Sequence, residues 1–164
     1  MNNAALSHPK ILHGQALIDR LAALRVAGKR LVFANGCYDI LHPGHADLLN
    51  RAQLLGDALL VAVNDDASVR RLGKGPDRPI NPLAVRMYMA AQLGCVDLVT
   101  SFSEDTPLEC IRLVRPQVLV KGGDWPLEKI VGREIVEAAG GRVYSLNLVP
   151  GYSTTEMIER IRRA

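Results

Sequence analysis

The chain has 164 residues, 48% hydrophobic and 23% charged, which fits one ordinary globular domain with a substantial core and excludes collagen, coiled coil and disordered tail. A net charge of +3 with a pI near 8.9 is too weak to indicate nucleic acid without a localised Lys/Arg stripe, but it suits small polyanionic partners. Three scattered cysteines, Cys37, Cys95 and Cys110, indicate neither a zinc ribbon nor a disulfide framework and read as reduced thiols.

The first dozen residues have no pattern, so residues 1–13 are expected to form a flexible arm ahead of a single domain over 14–164. The segment Met1–Gln15 has no signal-peptide core, and the longest apolar runs, such as Ala58–Val63, are far short of the roughly 20 residues of a membrane helix. The expectation is a soluble cytoplasmic protein with no membrane partner.

In chain order, the pattern predicts a helix over Gln15–Ala27, a strand at LVFAN from Leu31, and a helix opening at Pro43, where Leu48, Leu49, Ala52 and Leu55 recur at helical spacing until Gly56. Strand ALLVAVN follows, then an irregular stretch over Leu72–Pro82 rich in glycine, proline and charge. Next come a helix over Pro82–Leu93, strand VDLVTSF, a helix over Pro107–Val114, strand QVLVKGG, a helix over Gly132–Ala139, strand RVYSLNLV and a helix over Thr154–Arg163. Short apolar strands alternating with helices predict an α/β, Rossmann-like three-layer sandwich with a mostly parallel five-stranded sheet.

The strongest chemical signal is NGCYDILHPGH, residues 35–45, between the first strand and its helix. Ligands of open parallel sheets bind beyond the carboxyl ends of the strands, where a helix N-terminus offers unpaired N–H groups to phosphate. Gly36 permits close approach of the backbone, and Gly44 keeps the helix start uncovered between His42 and His45. Two imidazoles three residues apart can donate to one phosphate; zinc ligation with a third ligand from elsewhere and a simple surface or capping role are the alternatives. Cys37, with no adjacent base, reads as a small buried or backbone-donating residue.

GCYDILHPGH is similar to the signature of the nucleotidyltransferase superfamily with the HxGH motif, which includes cytidylyltransferases and adenylyltransferases of small phosphorylated substrates. VNDD (63–66), KGGDW (121–125) and GYSTTEMI (151–158) extend the likeness to the C-terminus. NGCYD, RPINP (78–82) and KGGDW together most resemble the heptose 1-phosphate adenylyltransferases of ADP-heptose synthesis, in the form without a fused sugar kinase, since the length leaves no room for one.

The resemblance implies attack of a sugar 1-phosphate oxygen on the α-phosphorus of ATP, with Mg²⁺ bridging phosphates and no dedicated protein metal site. It implies phosphate roles for His42, His45 and Arg86, with Lys74 and Arg78 closing over the reactants from the irregular loop. Lys74 read alone is equally an ordinary surface charge. It further implies that Asn35, Gly36, Cys37, Gly44, Lys121, Gly122, Gly123 and Asp124 approach the nucleotide, and that Ser153 and Thr154 meet its β- and γ-phosphates, where the residues alone suggest a helix cap. Asp39, Asn64 and Asp66 are candidates for the sugar phosphate side, although Asp39 could instead bind loop backbone and Asp66 cap the next helix. The implied partners are ATP, a sugar 1-phosphate and a separate heptose 7-phosphate kinase, with room for a homodimer. The stretch NLVPG lacks the arginine usual before the last turn of glycerol 3-phosphate cytidylyltransferases, which weakens that alternative; a catalytically silent nucleotide-binding module is the other.

Overall fold

The computed structural model describes residues 6–73, 75, 77–123 and 125–164. The elements run α1 (Gly14–Val26), β1 (Leu31–Gly36), α2 (Pro43–Gln53), β2 (Ala58–Asn64), α3 (Asp66–Arg71), α4 (Leu83–Ala91), β3 (Leu98–Phe102), α5 (Leu108–Val114), β4 (Val118–Gly122), a 3-10 turn (Leu127–Lys129), α6 (Arg133–Ala138), β5 (Arg142–Leu146) and α7 (Thr154–Arg163). The five strands form one sheet in the order β3-β2-β1-β4-β5, and every pairing is parallel.

Successive residues of a strand face opposite sides of the sheet, so the two helical layers divide the strand residues between them. Phe33, Leu60, Ala62 and Leu119 pack with α1, α5 and α6, whereas Val32, Ala34, Val61, Val63 and Val120 pack with α2 and α4. β2 is buried along its whole length, as a continuous apolar run predicts for a strand covered on both faces. The chain leaves β1 for α2 on one face and β4 for α6 on the other, so the carboxyl ends of these neighbours bound a crevice where the winding reverses.

Two local readings change. Lys10–Leu12, within the expected loose arm, lie along the edge of β3: the Lys10 carbonyl accepts from Val99 N at 2.8 Å and Leu12 N donates to Val99 O at 2.9 Å. Ile11 and Leu12 also pack on the two core layers, so edge pairing and apolar burial hold this segment. The helix after β2 is capped by Asp65, whose carboxylate accepts from Ser68 N at 2.6 Å, which leaves Asp66 available for a different contact. Among the described residues no helix is long and apolar enough to cross a membrane.

Candidate active site

A cleft of about 560 Å³ lies at the carboxyl ends of β1 and β4, between the start of α2 and the start of α7. The chain reaches it from β1 through Asn35, Gly36, Cys37, Tyr38 and Asp39, all in its wall. Tyr38 adopts φ 46°, a left-handed turn that redirects the strand, and a Cβ on Gly36 would sit 3.1 Å from its ring. The Tyr38 ring is also edge-on to His45, with centroids 5.2 Å apart. Burial pushes the Tyr38 hydroxyl well above the ordinary tyrosine range, so it is a neutral wall at any physiological pH.

His42 is the extended residue before α2, Pro43 starts the helix, and the His42 carbonyl accepts from His45 N at 2.9 Å. The geometry brings the two imidazoles face to face, with ring centroids 3.8 Å apart and planes 19° from parallel. Gly44 makes this stacking possible, since a Cβ there would lie 3.1 Å from the His42 ring and 3.3 Å from Cβ of Tyr152. Burial holds the His42 pKa below its ordinary value of 6.5, and Nδ1 of His42 is buried with no hydrogen-bond partner among the described residues. A buried polar nitrogen without a partner carries a desolvation penalty that a ligand oxygen can relieve.

Asp39 and Arg78 form a buried pair at 2.5 Å, with side chains 0% and 7% exposed. The same carboxylate accepts from Ile80 N at 2.9 Å and Asn81 N at 2.8 Å. Asp39 is therefore the anchor of the 78–81 loop, the loop-backbone alternative of the two read from the sequence, while Arg78 reaches the cleft wall from that anchor. Arg86 departs further from expectation. It is almost wholly buried, and its guanidinium donates to Asn81 O at 3.0 Å, Cys37 O at 2.7 Å and Asp66 Oδ1 at 2.7 Å. It is absent from the cleft wall; its charge ties together the β1 turn, the 78–81 loop and the start of α3. Asp66 is thereby a partner of Arg86 and not the cap of α3. Asn64 also turns inward, donating to Ser68 Oγ at 2.9 Å, and neither it nor Asp66 lines the cleft.

From the other side, Lys121 and Gly122 at the end of β4 join the wall. Gly122 lies in close approach to α2: a Cβ there would be 2.6 Å from Leu48 Cδ2, which would have to shift to admit it. Gly123, at φ +107°, shapes the turn behind the wall and donates to Leu146 O at 2.9 Å. Ser153 and Thr154 face the cleft at the start of α7, and Ser153 makes no side-chain cap there, so its hydroxyl is not used by the helix. The structure thus gathers Asn35, Gly36, Cys37, Asp39, His42, His45, Arg78, Lys121, Gly122, Ser153 and Thr154 around one space. Lys74 and Asp124 lie outside the described residues.

Sequence reasoning overlooked Tyr38, Leu148, Tyr152 and Thr155, which line the wall along with Leu48 and Gly73. Tyr38 sits inside the NGCYD motif, and Tyr152 and Thr155 inside GYSTTEMI, so all three were within reach; the structure sets the Tyr152 ring 6.5 Å from that of His42. For Mg²⁺, the donors in this wall do not fit a resident site. Asp39 is its carboxylate among the described residues, and both oxygens are engaged. No described cluster of three or more His, Cys, Asp or Glu could hold a metal ion.

A doubly wound parallel sheet, paired imidazoles at the first helix after β1 and a hydroxyl-bearing turn facing them make a crevice suited to nucleotide phosphates, and comparison with known proteins identifies it as that of a nucleotidyltransferase. The profile of the cytidylyltransferase-like family matches residues 33–160, and the chain belongs to that family. It is 52% identical over 156 residues to the bifunctional protein HldE of Geotalea uraniireducens, covering 95% of this chain and 32% of that protein. It is 56% identical over 136 residues to the bifunctional protein HldE of Azotobacter vinelandii, covering 83% of this chain and 28% of that protein. The chain thus spans about a third of the length of these relatives. The crystal structure of the lipopolysaccharide core biosynthesis protein from Thermoplasma volcanium superposes with a TM-score of 0.60 at 29% identity, covering 74% of this chain and 98% of that one.

Proposed function

We propose that the chain, with Lys10–Leu12 part of the folded unit, acts as one catalytic domain that transfers AMP from ATP to D-glycero-β-D-manno-heptose 1-phosphate, giving ADP-heptose and pyrophosphate. The observation that carries this reading is the stacked His42–His45 pair, opening into a cleft whose wall also holds Lys121, Arg78 and the Ser153 and Thr154 hydroxyls. The HldE relatives, at about half identity, and the lipopolysaccharide core protein support the sugar class. The reading places the chain in lipopolysaccharide core assembly in the bacterial cytoplasm, downstream of a heptose 7-phosphate kinase.

The acceptor oxygen is already an anion, so no general base and no covalent enzyme intermediate are needed. A bond forms between that oxygen and the α-phosphorus of ATP, the bond from the α-phosphorus to the bridging oxygen breaks, and pyrophosphate leaves with the electron pair. Catalysis is then alignment of two mutually repelling polyanions and stabilisation of the charge that develops on the leaving group. In this reading the imidazoles and the α2 N-terminus serve the ATP phosphates, Ser153 and Thr154 donate to the β- and γ-phosphates, and Lys121 and Arg78 offset charge near the reacting centre. Mg²⁺ would come with ATP and not from a resident site, since the donors in the wall do not fit one.

The test is pyrophosphate release with ATP, Mg²⁺ and heptose 1-phosphate, against parallel reactions with CTP and with glycerol 3-phosphate. Release with ATP and heptose 1-phosphate is expected. Turnover with CTP alone, or nucleotide binding without turnover of any acceptor, overturns the reading.

A further inference from the structure

Four aromatic rings meet in turn along the cleft wall. Tyr38 stands edge-on to His45, His45 stacks on His42, and the ring of Tyr152 lies near-parallel to that of His42, 19° from its plane with centroids 6.5 Å apart. That spacing is within the range of an offset aromatic pair. The base of the Tyr152 side chain is equally close to α2: a Cβ on Gly44 would lie 3.3 Å from Cβ of Tyr152, so Tyr152 occupies the space that a side chain at position 44 would need. Gly151, at φ +81°, makes the turn before it in a conformation that glycine adopts without strain. Tyr152 is followed directly by Ser153, the N-cap of α7, and by Thr154, its first residue. No residue of α7 is buried, so core packing does not fix this helix. Its last turn is tied to Asp77 through Arg162, whereas its first turn meets the start of α2 through Tyr152.

We propose that Tyr152 is a positioning residue: its ring holds the His42 imidazole in the stack with His45, and the same contact sets the spacing between the imidazoles and the Ser153–Thr154 turn. This role rests on the phosphate-binding reading of the cleft and adds to it a residue that acts through His42, with no substrate contact of its own. A histidine is ordinarily oriented by a hydrogen bond at one ring nitrogen. Nδ1 of His42 is buried with no hydrogen-bond partner among the described residues, so the neighbouring rings take over that task. Donors on two elements can serve one polyanion only while those elements keep their spacing, and a misplacement of about 1 Å can cost about a hundredfold in rate. Tyr152 is also the member of the row that can be changed without core damage, being half-exposed where Tyr38 is buried.

The test compares the native chain with Tyr152→Ala and Tyr152→Phe. Pyrophosphate release gives kcat and both KM values, and NMR titration of the imidazoles without ligand follows His42, assigned from the spectrum of His42→Asn. Tyr152→Ala is expected to lower kcat roughly tenfold while each KM moves less than about threefold, and Tyr152→Phe to stay within about twofold of the native rate, since the ring is kept. In Tyr152→Ala the His42 titration is expected to move up toward 6.5, because the burial that holds it down is partly lifted; in Tyr152→Phe it should stay in place. The other titratable and charged groups of the wall, Cys37, Tyr38, Asp39, Arg78 and Lys121, are the same in all three proteins, so the movement is assigned to the ring. Equal losses in Tyr152→Phe and Tyr152→Ala would make the hydroxyl a substrate contact, and a raised KM for ATP at unchanged kcat would make the ring a nucleotide platform; either overturns the positioning role, as does an unmoved His42 titration in Tyr152→Ala. If only CTP turns over, with the same kcat pattern and the same His42 response, the role stands and the adenylyl-transfer reading falls. If no nucleotide turns over, the His42 response alone decides.

Discussion

Replacing Asp39 by asparagine keeps the shape of the side chain but removes its charge and turns one acceptor into a donor. In the native protein that carboxylate accepts from Arg78 Nε at 2.5 Å, Ile80 N at 2.9 Å and Asn81 N at 2.8 Å, and both members of the ion pair are buried. Removing one partner from a buried pair costs about 3–5 kcal/mol, because the other charge is left without compensation. Asparagine retains one acceptor oxygen, so the lower end, about 3 kcal/mol, is expected. At roughly 2–4 °C per kcal/mol for a chain of this length, the melting temperature should fall by about 6–12 °C. The assay is thermal unfolding of Asp39→Asn, Arg78→Met and the double variant. The two single losses should not add, since either one already breaks the same contact, and the coupling should reach about 1–3 kcal/mol. A drop below about 2 °C for Asp39→Asn, or full additivity, would refute the claim that this carboxylate anchors the 78–81 loop. Pyrophosphate release measured well below the melt should fall as well, because Arg78 reaches the cleft only from that anchor.

Three further outcomes follow from the site. His42→Ala and His45→Ala should each lower turnover at least a hundredfold, about 2.7 kcal/mol of transition-state stabilisation, with an unchanged unfolding midpoint to within a few degrees; near-normal rates in both would remove the imidazoles from the machinery. Arg86→Lys should fail to restore what Arg86→Met loses in stability, because one ammonium cannot reach the Asn81 and Cys37 carbonyls and Asp66 together; denaturant midpoints of the two variants check this. His42 is kept neutral by burial, its pKa held below 6.5, so the unfolded chain takes up a proton before the folded one does. Its contribution to stability is complete above that pH and is lost as pH falls through the folded value. Denaturant midpoints measured on either side of pH 6.5 should show a decline on the acid side that His42→Asn flattens.

Much of this molecule is legible along the chain. Strand β2 announces itself as an unbroken apolar run because both its faces are covered, and the helix at Pro43 by apolar residues at helical spacing, because local periodicity records which side of an element is buried. The HxGH turn is equally local: proline, glycine and two histidines at fixed spacing place both imidazoles at one helix start, while their stacking is seen only in the structure. What only the tertiary structure decided is where long-range charges go. Arg86 reads as a phosphate ligand until packing shows its guanidinium turned inward to residues on three separate segments. Asp39 reads equally as a substrate contact or a partner of loop backbone, and the 78–81 loop folding onto it decides for the second. Neither pairing leaves a periodic trace, because the partners lie far apart along the chain and meet only when it folds. Which partner each side chain takes depends on which buried carbonyls and carboxylates the folded chain leaves to be satisfied.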